Sequence, residues 1–439
     1  MSPSPERSRR RRGRGRPRGG QAPRGRAPQG DPRTGERFTL DVGEVAHGGH
    51  CVARHEGQVV FVRHALPGER VVAVVTSGTT RSSFLRADAV EILTASPQRR
   101  EAPCPYAGPG QCGGCDWQHT SAAYGRELKA RVVREQLSRL AGLDLPVVVE
   151  PVPGDEDGLR WRTRVELAVG PDGRAGMRRH RSHEVLPVDD CLIADEQVAG
   201  SGVLQERFGV GVHGVDVAHS STGELAVVTL PETGEVPTLT EEVRVDASPL
   251  RLEVSARGFW QVHPGAARTF VQHVLDELDA RPGESVLDLY CGVGLFAASL
   301  GERVGPSGSV LGIEGDRRAV EDGQRNVERL AHVQVERAEV GRWVETGPTE
   351  PVDLVVLDPP RSGAGRTVME RVLARGPRAV AYVACDPSAL GRDLAYGAEA
   401  GYEVRTLRAF DAFPMTHHVE CVAVLVPTAG AAAGEADLG

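Results

Sequence analysis

The sequence predicts an α/β fold joined to a smaller β fold, with a mixed α+β stretch between them. Three observations predict it. From about Gly258 the order strand, glycine turn, helix repeats, which is the signature of a parallel α/β sheet. From Phe38 to about Pro97, short β-type runs are broken by Gly and Pro at the regular spacing of a small barrel. Between these two regions, Cys104, Cys112 and Cys115 crowd into a short Gly/Pro-rich segment.

The chain has 439 residues, enough for two or three domains. Apolar residues make up 40% and charged residues 26%, which excludes wholesale disorder. No run approaches the about 20 apolar residues of a membrane-spanning helix. The N-terminus lacks the apolar core of a secretory signal, so a soluble cytoplasmic protein is expected. The net charge of −8 conceals an asymmetry: residues 1–37 carry twelve Arg against Glu6, Asp31 and Glu36, leaving the rest strongly acidic. Such an arm either neutralises the phosphates of a polyanionic partner or is a solvated tail.

Residues 1–37 are Arg, Gly and Pro in low-complexity order and read as a disordered tail. In the barrel region, 38–97, strands are expected at Phe38–Val42, Gln58–Arg63, Arg70–Thr76 and Ala87–Leu93. The central region, 98–257, holds the cysteine segment, a helix near Ser121–Ala141, and strands including Arg162–Val169, Leu225–Leu230 and Leu250–Ser255. The α/β region spans 258–427, and residues 428–439 read as a flexible Ala/Gly-rich tail.

The α/β region carries the chemistry. Glu284–Leu289 is an apolar strand running into Tyr290-Cys-Gly292-Val-Gly294 and then a helix. Gly292 and Gly294 let the backbone approach a ligand, as a nucleoside site requires. The next strand, Ser309–Ile313, ends in Glu314, about 20 residues past the glycines, where an acid accepts ribose hydroxyls. A third strand, Val352–Leu357, delivers Asp358-Pro-Pro-Arg361, and a fourth, Ala379–Ala384, delivers Cys385-Asp386-Pro387. Reactive groups in such sheets lie beyond the carboxyl ends of the strands, so Asp358 and Cys385 should share one crevice. A thiol there reads as a nucleophile. Glu420 precedes the final strand, Cys421–Val426, and suits proton removal. His417 and His418 are given no catalytic role.

Eight cysteines in a long chain without a secretory signal read as metal-binding or catalytic. Cys104, Cys112 and Cys115 form a C-x7-C-x2-C cluster, with Cys191 as the candidate fourth ligand. Spacing leaves zinc and iron–sulfur both open.

Together these residues resemble the RNA uracil-5-methyltransferase family, in the branch with an N-terminal TRAM domain and an iron–sulfur cluster. The resemblance runs from Phe38 to about Pro427. It rests on Cys112-Gly-Gly-Cys-Asp-Trp-Gln-His119, Asp288-Leu-Tyr-Cys-Gly-Val-Gly294, Asp358-Pro-Pro-Arg361, Tyr382-Val-Ala-Cys-Asp-Pro387 and His418-Val-Glu420. It implies a class I (Rossmann-like) methyltransferase domain, an OB-like RNA-binding TRAM barrel, and a [4Fe–4S] cluster on Cys104, Cys112, Cys115 and Cys191. It implies S-adenosylmethionine contacts from Gln261, Tyr290, Glu314 and Asp358 with the Gly292 turn. Cys385 is implied as nucleophile and Glu420 as base. The implied partner is RNA, ribosomal (23S) rather than transfer RNA, and a monomer is expected. Two departures stand out: the seven-residue first cysteine gap, and Leu295 where some members place Asn.

Two other readings compete. Asp358-Pro-Pro also resembles the acidic motif of amino-group methyltransferases, but Arg361 stands where those place an aromatic residue. A non-catalytic RNA-binding iron–sulfur redox sensor would need neither Cys385 nor Glu420.

Overall fold

The computed structural model describes residues 30–245 and 248–429. Most of the Arg-rich arm (1–29) and the segment 430–439 lie outside the described residues. Six strands form the first unit: β1 (Arg37–Asp41), β2 (Val45–Ala46), β3 (His50–His55), β4 (Gln58–Arg63), β5 (Arg70–Ser77) and β6 (Phe84–Thr94), in the order β1-β5-β6-β4-β3-β2. Val71, Ala73 and Val75 alternate inward along β5, and the period of two buries them with Leu40, Val60 and Leu85. Backbone hydrogen bonds from Gly43 to Val52 and from Val52 to Glu44 carry the end of β1 onto β3, so the sheet curls round its core. The unit begins before Phe38. Pro32 bridges Thr79, the Gly35 N–H donates to Val75, and the Arg33 guanidinium lies over the Phe38 ring.

The cysteine segment follows, then α1 (Ala122–Ala141), capped by the Ser121 hydroxyl and ended by Gly142 in the left-handed region. After β7 (Val149–Pro151) come β8 (Arg164–Val169), β9 (Ala175–Arg178), β10 (Val185–Pro187), α2 (Glu196–Ala199), β11 (Gly214–His219) and β12 (Leu225–Leu230). These build a five-stranded antiparallel sheet in the order β10-β9-β8-β11-β12. A hairpin of β13 (Thr238–Val245) and β14 (Ser248–Ser255) leads out of it.

The C-terminal region contains α3 (Ala266–Leu278), β15 (Ser285–Leu289), α4 (Leu295–Val304), β16 (Ser309–Glu314), α5 (Arg317–Val327), β17 (Val333–Arg337), α6 (Val340–Thr346) and β18 (Leu354–Leu357). It continues with α7 (Arg366–Leu373), β19 (Ala379–Ala384), α8 (Pro387–Glu399), β20 (Tyr402–Asp411) and β21 (Glu420–Pro427). The eight-stranded sheet has the order β17-β16-β15-β18-β19-β21-β20-β7. β15 to β19 run parallel, whereas β21 is antiparallel to both neighbours. β18 and β19 are buried on both faces, as strands covered by helices on each side must be. Phe270, Phe296 and Val356 fill one face, and Leu287, Leu357 and Tyr382 the other.

Two features depart from the sequence reading. Val352–Leu357 was expected to be the third strand, but β17 precedes it at the sheet edge, where alternate residues face solvent and no continuous apolar run results. The chain around α1 and β7 also packs on the C-terminal sheet: β7 pairs parallel to β20, and Val133 and Leu137 join its core.

Candidate active site

The strand order reverses beside β15, with β16 on one side and β18 on the other, which opens a crevice at their carboxyl ends. The turn from β15 into α4 is left-handed at Tyr290 (φ 63°), Gly292 (φ 54°) and Gly294 (φ 84°). The glycines take this without cost, whereas Tyr290 is held there by its N–H donating to Ile313. That conformation aims the Gly292 N–H at Glu314, which accepts it at 3.0 Å. The other Glu314 oxygen accepts from the N–H groups of Gly315 (2.7 Å) and Asp316 (2.8 Å). A carboxylate has about four lone-pair sites, so Glu314 stays fixed and can still accept hydroxyls.

Two more carboxyls share this end of the sheet. Asp288 is wholly buried, and among the described residues only the Ala297 N–H comes near enough to favour its charged form. Burial pushes its carboxyl well above the usual range, and Asp358 and Glu314 push it further. Burial, then Glu314, pushes Asp358 up to about 7. A cationic occupant would relieve this crowding of acids, and the residues fit S-adenosylmethionine: an acid for the ribose beside a glycine turn.

β19 and β21 pair antiparallel as far as Ala384↔Cys421. The next residue on each strand is Cys385 and Glu420, so the thiol and the carboxyl meet at the sheet end. Burial pushes the Cys385 thiol up to about 12, and Glu420 and Asp358 add to the rise, while Arg361 opposes it. Glu420 is 5% exposed; burial and then Asp358 hold its carboxyl well above the usual range, again opposed by Arg361. Gln261, Tyr290, Gly292, Glu314, Asp358, Cys385 and Glu420 all line one cleft of ≈1330 Å³.

Several supports carried no signal in the sequence reading. Asp386 caps α8, accepting from Ser388 and Ala389, and His47 of the first unit lies 3.0 Å from its other oxygen. The Asp358-Pro-Pro-Arg361 loop is pinned through Ala364, whose N–H meets Asp393 at 2.7 Å and the Tyr382 hydroxyl at 3.1 Å. Arg361 reaches His418 at 3.3 Å. At the rim Phe259 leaves an apolar ring 71% exposed, a placement suited to meeting a planar partner. Phe259 sits two residues before Gln261, and that proximity was the one available hint.

The cysteines lie apart from this cleft. Burial raises the thiols of Cys104, Cys112 and Cys115, and Cys191 raises each of the three further. Cys112 accepts from the Gly114 N–H, and Cys115 accepts from Gln118. All four are free thiols. Among the described residues, no group of three or more His, Cys, Asp or Glu side chains stands close enough to hold a single metal ion. Thiolates are the ligands that iron–sulfur clusters take, so these four are candidate donors by their chemistry alone.

The fold and the cleft define a class I methyltransferase. Residues 33–90 match the TRAM domain, 266–381 the methyltransferase small domain, and 350–427 the tRNA (uracil-5-)-methyltransferase family. A relative from Streptomyces avermitilis, described as an uncharacterized RNA methyltransferase, is 50% identical over 90% of this chain and 99% of its own length. One of the same description from Bifidobacterium longum is 34% identical over 89% of this chain and 97% of its own. The fold is shared with the Pyrococcus abyssi tRNA (uracil-54, C5)-methyltransferase in complex with S-adenosyl-L-homocysteine: TM-score 0.66, 22% identity, covering 89% of this chain and 100% of that one. The chain belongs to the TRAM-domain RNA uracil-5-methyltransferase family. No helix among the described residues is long and apolar enough to cross a membrane.

Proposed function

We propose that this cleft methylates C5 of a specific uridine in RNA, with Cys385 as nucleophile and Glu420 as base. The observation that carries the reading is the meeting of Cys385 and Glu420 at the ends of β19 and β21, inside the cleft that Glu314 and Asp358 line. Uracil C5 is too weak a nucleophile to take a methyl group unaided. Addition of the Cys385 thiolate to C6 forms a C–S bond and moves the electron pair to C5, which splits one hard step into two. S-adenosylmethionine, held by Gln261, Tyr290, Glu314 and Asp358, supplies the methyl group as a sulfonium. Glu420 then takes the C5 proton, the C6–S bond breaks, and the thiolate is released. Cys385 must first pass its own proton to solvent and Glu420 must stand ionised, and Arg361, which opposes the rise of both groups, favours both charged forms. The uridine must leave its stack to enter the cleft.

Within this reading Cys104, Cys112, Cys115 and Cys191 hold a [4Fe–4S] cluster that ties the cysteine segment to the central sheet. The TRAM barrel binds RNA, and the protein works as a cytoplasmic monomer. The substrate is ribosomal RNA of the 23S class. The match of 350–427 to the tRNA (uracil-5-) family favours transfer RNA as the second reading.

Glu420→Gln tests the chemistry. It should trap the methylated adduct as an RNA–protein band on a denaturing gel. A variant that binds RNA yet gives no band sinks the assignment. Activity surviving Cys385→Ala would point instead to amino-group methylation, and tight cofactor binding without turnover to a sensor. Nucleoside mass spectrometry of separated ribosomal and transfer RNA, after incubation with the protein, decides the substrate.

A further inference from the structure

All but one of the 52 Lys and Arg residues are arginine; the exception is Lys129. It lies on α1, 1% exposed, against Asp411, itself 2% exposed. Its ammonium donates to the Asp411 carboxylate and, at 2.9 Å, to the Phe413 carbonyl. Arg126 stands 4.0 Å from the other Asp411 oxygen. These contacts hold the start of the segment that links β20 to β21.

The same segment is gripped further along. Asp116 and Trp117 both donate backbone N–H groups to the Met415 carbonyl, at 2.9 and 3.0 Å. Asp116 also accepts from the His417 N–H at 3.1 Å and pairs with its ring at 2.6 Å. Residues 411, 413, 415 and 417 are thus each tied to the stretch 116–129. Met415 sits at φ 63°, a conformation that a side chain keeps only where its surroundings impose it.

What the segment presents is the wall of the cleft. The Phe413 ring lines it, packing edge-on against Trp161 at 6.0 Å and His418 at 5.8 Å. His418 meets Arg361, the residue that opposes the rise of both Cys385 and Glu420. Glu420 follows two residues later.

The geometry points to Lys129 as a positioning residue for methyl transfer: through Asp411 and the Phe413 carbonyl, it sets the segment that places Phe413, His418 with Arg361, and Glu420 around the reacting base. This rests on the uracil-methylation reading above. A lysine suits the position because its compact ammonium directs three donors from one point. A planar guanidinium would displace either the Asp411 carboxylate or the Phe413 carbonyl.

The full-length protein tests this with two variants. Lys129→Met with Asp411→Leu removes both buried charges together, and the Arg126 that loses its 4.0 Å contact is partly exposed to solvent. Lys129→Arg keeps the charge but changes the donor geometry, and the melting temperature reports whether the fold holds. The readouts are kcat and KM for RNA, calorimetric affinity for S-adenosylmethionine, and melting temperature. In the double variant kcat should fall about a hundredfold, the cost of a misplacement near 1 Å, with cofactor affinity and melting temperature near wild type. Lys129→Arg should lose at least about tenfold in kcat, failing as a conservative rescue. Two variants with kcat within twofold of wild type overturn the proposal. So does a fall in kcat matched by an equal loss of cofactor affinity or of melting temperature, because that is a structural role only. Wild-type protein that makes no 5-methyluridine overturns the underlying reading, and the wild-type control tells the two failures apart.

Discussion

His47 and Asp386 meet at 3.0 Å across 339 residues of sequence, so the TRAM barrel touches the residue that follows Cys385. The contact ties the barrel to the residue next to the thiol. His47→Ala leaves the α8 cap intact, because that cap is the other Asp386 oxygen. The His47 side chain is 39% exposed, so its loss should cost under about 1 kcal/mol of stability. Turnover on RNA should nevertheless fall several-fold, by steady-state kinetics alongside thermal melting. Unchanged turnover would show that the barrel does not act on the site through this pair.

The barrel interface should loosen in acid. Burial alone would raise Asp386 and Glu69, but His47 and the α8 N–H groups outweigh it for the first, and Arg99 with the Leu66 and Ser96 N–H groups for the second. Both carboxyls therefore titrate lower folded than unfolded. Their stabilisation is complete above the unfolded value and is lost as pH drops through the folded one, that is, below about pH 4. A melting temperature that stays flat from neutral pH down to pH 3 would contradict this.

Arg361 opposes the rise in both Cys385 and Glu420. Arg361→Met should raise the Cys385 thiol further and shift the acid limb of the rate profile to higher pH. Since Arg361 lies on the surface, screening limits the effect to about two- to fivefold in rate at neutral pH. A profile that does not move would remove Arg361 from thiol activation.

Glu314 offers two oxygens, both already fixed by backbone donors. Glu314→Gln loses the charge and one acceptor, a loss of about 1.5–3 kcal/mol for hydrogen bonds to a charged group. Affinity for S-adenosylmethionine should drop about ten- to a hundredfold by calorimetry. Affinity unchanged within twofold would mean that Glu314 serves the turn alone.

Cys191→Ser tests the four-thiol assignment. Protein purified without oxygen should carry iron and sulfide, and the variant should lose most of both, along with several degrees of melting temperature. Full iron content in the variant would move the fourth ligand elsewhere.

Strand-end chemistry was legible because it is local. Ala379–Ala384 is a fully buried run, and whatever follows such a run emerges at the crevice, so the position of Cys385 follows from the sequence. β17 was missed because an edge strand with polar residues on alternate positions lacks that signature. Lys129 and Asp411 pair across 282 residues, and nothing near either one announces the other. Tyr382 looked like one more apolar strand residue, yet its hydroxyl bonds Asp393 and holds the Asp358 loop. Partners distant in sequence and polar tips on apolar bodies are what periodicity cannot read.

The pairing of β7 with β20 also governs how the chain can be made. Ala409 lies beside Val149, and Arg408 grips Glu150 from 258 residues away. While the ribosome is still at work, the TRAM barrel and the central sheet can close as they emerge, but the outer edge of the catalytic sheet waits for nearly the last strand. Pairings this distant in sequence close late and slowly, so the methyltransferase half is expected to finish last. A nascent chain halted before Tyr402 would have a finished barrel beside an open sheet, with neither Glu420 nor the strand that brings it to Cys385.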